Sequence, residues 1–189
     1  MSTTTIPRLL ILSAAVLATV LAGAAPAQAA PAAGTVSVQG SSATFRAGDG
    51  VANNLQVAST LDPIFAIIDD AAPIRLASSA RNRCVVDGAI VRCTGITSVN
   101  LELGNRNDTV HAEGYARLRA SGGSGNDYLE ANFYQERVTF QGNSGNDVLI
   151  GGDRNDRLEA GSGRNQRTEG NGGRDVCSGS DVTKVSCED

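Results

Sequence analysis

Tryptophan is absent and aromatic residues make up only 4% of the 189 residues, so the side chains that usually dominate a globular core are scarce. Glycine occurs 22 times, and a thin repetitive core is what such a composition can build. Only one histidine, His111, is present, and neither a His-Glu-x-x-His helix motif nor a Gly-x-Ser-x-Gly elbow occurs, which removes the commonest zinc-protease and serine-hydrolase arrangements. No Cys-x-x-Cys pair accompanies the four cysteines, so zinc is a poor explanation of them. Basic residues form no stripe, and the formal charge is −4; a nucleic-acid role is not expected.

What is there begins with a polar segment, Met1 to Arg8, an apolar run from Leu9 to Ala25, and the small-x-small sequence Ala27-Gln-Ala29. Together these read as a secretory signal peptide, residues 1–29, cleaved after Ala29. No second hydrophobic span follows, so the mature chain of about 160 residues is expected to be secreted, without a membrane span and monomeric. Loss of Arg8 takes the formal charge from −4 to −5.

The remainder is organised by a recurring turn: Gly122-Gly-Ser-Gly-Asn-Asp127, Gly142-Asn-Ser-Gly-Asn-Asp147, Gly151-Gly-Asp-Arg-Asn-Asp156, Gly161-Ser-Gly-Arg-Asn-Gln166 and Gly170-Asn-Gly-Gly-Arg-Asp175, with a worn copy ending at Asp108. The final positions are spaced by 19, 20, 9, 10 and 9 residues, and two residues after each stands Val110, Leu129, Leu149, Leu158, Thr168 or Cys177. A glycine turn, an acid and one inward residue at a nine-residue period is a solenoid signature. The segment resembles the hemolysin-type calcium-binding, or RTX, repeat family, and the whole arrangement resembles small secreted calcium-binding repeat proteins of actinobacteria.

That resemblance implies an all-β fold, a right-handed parallel β-solenoid with two nonapeptides per coil and Ca2+ between turns stacked on one flank. Asp108, Asp127, Asp147 and Gln166 would then stack on one side, Asp156 and Asp175 on the other, with Glu136 and Ala116 as the worn opposite-side positions. Calcium takes six to eight oxygens at about 2.3–2.6 Å. The implied metal-ligating set is Asp108, Gly123, Gly125, Asp127, Asn143, Gly145, Asp147, Asp153, Asp156 and Asp175, with glycine-turn carbonyls supplementing the carboxylates. Arg106, Arg154 and Arg164 break the glycine pattern at the fourth turn position, and Gln166 lacks a carboxylate. The Asp127–Asp147 gap therefore ranks first, Asp108–Asp127 second and Asp156–Asp175 third, helped by Asp153. The Asp147–Gln166 gap is expected to be weak or empty.

Between residues 30 and 102 the motif is absent and short β-rich runs appear: Thr35–Val38, Ala43–Phe45, Asn54–Val57, Ile64–Ile68, Pro73–Leu76 and, running on into the repeats, Val99–Leu103. They read as a β-rich N-terminal section covering the end of the repeats (103–177), with Ile64–Ile68 a strand or a short helix. Residues 178–189 read as a C-terminal cap. In an exported chain four cysteines favour two disulfides, and locality pairs Cys84 with Cys93 and Cys177 with Cys187. A type II′ turn at Gly88-Ala89 would set Cys84 opposite Cys93, whereas a type I′ turn at Asp87-Gly88 would set it opposite Val91.

The expected function is a secreted, calcium-stabilised structural or binding protein of the cell surface or medium. A protein or glycan partner would meet a strand face bearing Arg117, Arg119, Glu130, Arg157 and Glu159. A metal-independent β-helical scaffold or adhesin, with Asn and Asp as turn caps, is the alternative. A polysaccharide-active β-helix enzyme is a more distant one, because the carboxylates already recur at structural spacing.

Overall fold

The computed structural model describes residues 32–62, 64–70, 72–132 and 136–188; the proposed signal peptide lies outside them. In chain order the strands are β1 (Gly34–Gln39), β2 (Ser42–Ala47), β3 (Asn54–Ser59), β4 (Ile64–Asp69), β5 (Ile74–Leu76), β6 (Cys84–Asp87), β7 (Ile90–Thr94), β8 (Ser98–Glu102), β9 (Thr109–Glu113), β10 (Arg117–Ser124), β11 (Tyr128–Asn132), β12 (Val138–Ser144), β13 (Val148–Ile150), β14 (Arg157–Glu159), β15 (Gln166–Glu169), β16 (Val176–Ser178) and β17 (Val182–Val185). One 3₁₀ turn, Ser78–Ala80, completes the described structure. Among these residues no helix is long and apolar enough to cross a membrane.

The strands form two sheets. Sheet A runs β16-β14-β12-β10-β8-β2-β1-β5 and sheet B runs β17-β15-β13-β11-β9-β3-β4-β7-β6. From β8 to β17 the chain alternates between the sheets and every pairing is parallel, which is the winding of a β-solenoid. Parallel pairing also reaches back to β2 and β3, which lie against β8 and β9. Antiparallel strands then close the N-terminal end: β1 on β2, and β4, β7 and β6 in succession beyond β3. The Ile64–Ile68 run is a strand, its alternation placing Phe65 and Ile67 at 0% exposure.

Alternating side chains build the core, because successive residues of a strand face opposite sides of the sheet. Val110, Leu129, Leu149 and Thr168 occupy one register column of sheet B. Ala120, Phe140, Leu158 and Cys177 occupy a column of sheet A. All of these are buried. The residues two places after each turn acid are thus inward, divided between sheets as two nonapeptides per coil require.

Counting residues misplaces three features. On the flank leading from sheet B to sheet A, Val138 lies opposite Leu118, and its N–H donates to Asp156 Oδ1 at 2.8 Å. The positions stacked with Asp156 are therefore apolar Val138 and Leu118, and Glu136 is an exposed residue 3.9 Å from Arg117. In the fourth turn Gly163, rather than Arg164, stacks on Gly145, while the Arg164 N–H donates to Asn146 Oδ1 at 2.8 Å. Asn165, at φ 56°, is an inserted residue there. Glu130 lies on β11 in sheet B, away from Arg117, Arg119, Arg157 and Glu159 on sheet A.

Both disulfides follow the local pairing. Cys84 and Cys93 are cross-strand partners 4.0 Å apart at Cα, and the hairpin loop is Gly88-Ala89. Gly88 has φ 62°, while Ala89 is not among the positive-φ residues, as a II′ turn requires. Cys177 and Cys187 are bonded with Cα atoms 5.8 Å apart, tying the tail to β16.

The turns pack main chain on main chain. A Cβ added at Gly145, where φ is 130°, would lie 1.6 Å from the Gly125 carbonyl oxygen. Arg106 occupies the equivalent place one coil before Gly125 with φ 82°, a conformation that costs a side-chain-bearing residue on the order of 1 kcal/mol. Chemical denaturation should show Gly145→Ala destabilised by roughly 2 kcal/mol or more, and Arg106→Gly stabilised by about 1 kcal/mol.

Candidate metal centre

Asp108, Asp127, Asp147, Asp156 and Asp175 each close a turn directly before a strand, and stacking of the coils aligns these turn-end positions. On the flank leading from sheet A to sheet B the column is Asn53, Asp108, Asp127, Asp147 and Gln166. The Asn53 N–H donates to Asp108 Oδ1 at 2.7 Å, the Asp108 N–H to Asp127 Oδ1 at 2.9 Å, and the Asp127 N–H to Asp147 Oδ1 at 2.9 Å. On the other flank the Asp156 N–H donates to Asp175 Oδ1 at 2.7 Å. The two expected stacks are thus realised, with Asn53 as an additional member. Its turn, Gly48-Asp-Gly-Val-Ala-Asn53, lacks the repeat pattern, and only the Gly-Asp-Gly punctuation before an alternating strand hints at it.

Asparagines one residue earlier make a second ladder in the opposite sense. Asn107 Oδ1 accepts from the Asn126 N–H and Asn126 Oδ1 from the Asn146 N–H, both at 2.8 Å. Asn155 Oδ1 does the same for Arg174 at 2.9 Å. Each turn is therefore stitched to its neighbours by side-chain acceptors and main-chain donors.

The second carboxylate oxygens have no such partner. Asp108, Asp127, Asp147 and Asp175 are at most 2% exposed, and their Oδ2 atoms are buried without a hydrogen bond. Around them are further acceptors: a Cβ added at Gly142 would lie 2.3 Å from Asp147 Oδ2 and 2.6 Å from the Ala160 carbonyl oxygen. Both oxygens face the Gly142 Cα, and a buried carboxylate oxygen without an N–H or O–H donor is costly unless a proton or a cation meets it. Asp156 differs, because its Oδ2 accepts the Gly152 N–H at 2.7 Å.

Burial sets the protonation of the column. It pushes Asp108 up to about 7, with the Asp127 and Asp69 charges adding to the effect and the Asn53 N–H opposing it. Asp127 and Asp156 are each raised to about 6, and Asp147 and Asp175 are also raised, by burial in every case.

The donor set fits a hard cation that seeks oxygen. Among the described residues no three His, Cys, Asp or Glu side chains converge as a metal cluster; a gap offers its two flanking carboxylates, and further oxygens for an ion would have to come from main-chain carbonyls. Residues 119–133 and 139–166 match the family model of the RTX calcium-binding nonapeptide repeat, in four copies. By this match those two segments, which make up less than half of the chain, are RTX repeats. Comparison with curated proteins and with solved structures gives no match. RTX nonapeptide repeats bind Ca2+, the kind of ion that unpartnered carboxylates call for.

Other ligands expected from the RTX pattern are placed as follows. The carbonyls of Gly125 and Gly145 point along the column at the glycines of the next coil. The Gly123 carbonyl accepts Ser144 Oγ at 3.2 Å, and that of Asn143 accepts the Ser162 N–H at 2.7 Å. Asp153 is exposed, outside the column of buried RTX acids. At Gln166 the amide replaces the carboxylate and its Nε2 donates to the Gly145 carbonyl at 3.1 Å.

The pKa shifts give a signed prediction for the metal-free protein. Because the folded-state values lie above the ordinary aspartate value of 3.8, stability from this source is present below about 4 and lost as pH rises through about 6 to 7. Thermal unfolding in chelator should show the melting temperature falling between pH 5 and pH 8. Saturating calcium should flatten that slope.

Proposed function

We propose that this chain is exported and that its repeat solenoid is folded or stabilised by extracellular Ca2+, serving as a structural or binding element at the cell surface or in the medium. The observation that carries the reading is the column of buried, unpartnered Asp Oδ2 atoms at stacked turns. In calcium-poor surroundings these carboxylates repel and the glycine-rich coils loosen. Outside the cell, calcium at roughly millimolar levels fills even weak sites and couples binding to folding.

Gln166 supports the ranking of the gaps. Where an amide stands in the column, its N–H group reaches the Gly145 carbonyl; an aspartate has no hydrogen to offer, and a cation takes that place. The Asp127–Asp147 gap is then the best site, flanked by Gly125 and Gly145, and Asp108–Asp127 the next. The two disulfides support export, since such bonds persist in oxidising compartments.

For a partner, the outer face of sheet A offers a depression of about 660 Å³ lined by Arg117, Arg119, Glu136, Arg137, Arg157 and Glu159. Its exposed ion pairs, Arg46–Glu102 at 2.7 Å and Arg157–Glu159, contribute little to stability, so a protein or glycan ligand could replace them at small cost. The reading contains no catalytic step: His111 sits exposed on sheet B, 2.8 Å from Glu130. One observation favours a metal-independent scaffold instead, namely that the Asp and Asn ladders already join the turns without an ion.

Calcium titration followed by calorimetry and circular dichroism separates the two. Saturable binding with a gain of β signal is expected for the wild-type chain, weakened at least tenfold in Asp127→Asn/Asp147→Asn, and Gln166→Asp should gain one ion. No heat, with an already folded spectrum in chelator, would leave the scaffold reading standing.

A further inference from the structure

The second column does not stop at Asp175. Beyond β17 the tail turns back at Ser186, which has φ 50°, and Glu188 bridges to Val176 in parallel. The Glu188 N–H donates to the Asp175 carbonyl at 2.7 Å, and Glu188 Oε2 accepts the Asp175 N–H. Glu188 therefore does for Asp175 what Asp175 does for Asp156, although it stands outside the repeat sequence.

Asp175 is 0% exposed and its Oδ2 has no hydrogen-bond partner. A Cβ added at Gly170 would lie 2.3 Å from that oxygen and 2.1 Å from the Ser186 carbonyl oxygen, so the two acceptors are close neighbours on one side of the Gly170 Cα, and Asp175 Oδ2 has no N–H or O–H donor. One coil earlier the demand is smaller, because the Gly152 N–H already satisfies Asp156 Oδ2. On this flank the need for positive charge is thus concentrated on the side of Asp175 that the tail covers. The Cys177–Cys187 bond holds the Ser186 and Glu188 oxygens there.

We propose that the C-terminal tail builds a further divalent-cation site, formed by the Asp175 and Glu188 carboxylates and the Ser186 carbonyl and held together by the Cys177–Cys187 disulfide. This rests on the calcium reading above, but the site is supplied by the tail rather than by a repeat. It makes the last coil's metal binding depend on an oxidised disulfide, so the ion and the covalent bond close the same end of the solenoid together. A reducing compartment would lose both at once.

The test counts calcium bound per chain by equilibrium dialysis on the oxidised mature protein, its Glu188→Gln variant, and a Cys177→Ser/Cys187→Ser variant that keeps Cys84–Cys93. Glu188→Gln retains an acceptor for the Asp175 N–H and removes only the charge. Each variant is expected to bind one ion fewer than the wild type, and combining them should remove no second ion. A wild-type count and affinity in Glu188→Gln overturns the site, and an unchanged count in the cysteine variant overturns the role of the disulfide. A wild type that binds no calcium overturns the calcium reading itself along with the tail site, which separates that failure from the first two.

Discussion

Carboxylates stacked inside the wall of the solenoid are the constraint on which the rest depends. Parallel winding places one turn directly over the next, so an acid that ends one turn meets the acid that ends its neighbour. One oxygen of each is satisfied by a main-chain N–H of the preceding coil. For most of them the other is buried with nothing to accept. Burial of an unpaired carboxylate is costly, and the columns meet that cost differently at different places: the Gly152 N–H reaches Asp156 Oδ2, an uncharged amide replaces the acid at Asn53 and Gln166, and at the rest burial raises the carboxyl pKa.

The same constraint explains the glycines and the caps. Turns close enough to share ligands leave no space for Cβ atoms between them, as the Gly125 and Gly145 approaches show. A thin core of one or two inward side chains per strand cannot hold such turns together alone, so each end is closed differently. At the N-terminal end antiparallel strands and the Cys84–Cys93 hairpin extend both sheets. The C-terminal end relies on one disulfide and a short tail that imitates a turn. Open sheet edges invite pairing with other chains, and these closures shorten what is offered.

Much of this was legible in the residues. The inward positions after each acid follow from spacing and the two disulfides from locality, the II′ hairpin follows from the Cys84–Cys93 bridge, and the division of the acids between two flanks is what the repeat-family resemblance implies. Glu136 was misplaced because half a coil was counted in residues, whereas turns differ in length and the ladder register puts Val138 opposite Asp156. Arg164 looked like a substitution for glycine; it is a displaced neighbour of Gly163, shifted by the inserted Asn165. Neither Asn53 nor Glu188 carries a repeat signature, and only the fold brings them to the ends of the columns.

The most direct test of the central claim is the anomalous scattering of crystals grown with calcium, collected at a wavelength where the ion is visible against the sulfurs. Ion density is expected between the Asp108 and Asp127 turns and between the Asp127 and Asp147 turns, and none where Gln166 meets the Gly145 carbonyl. Gaps bridged only by water or by protonated carboxyls at pH 8 would contradict it, and would mean that the hydrogen-bonded ladders alone sustain the solenoid.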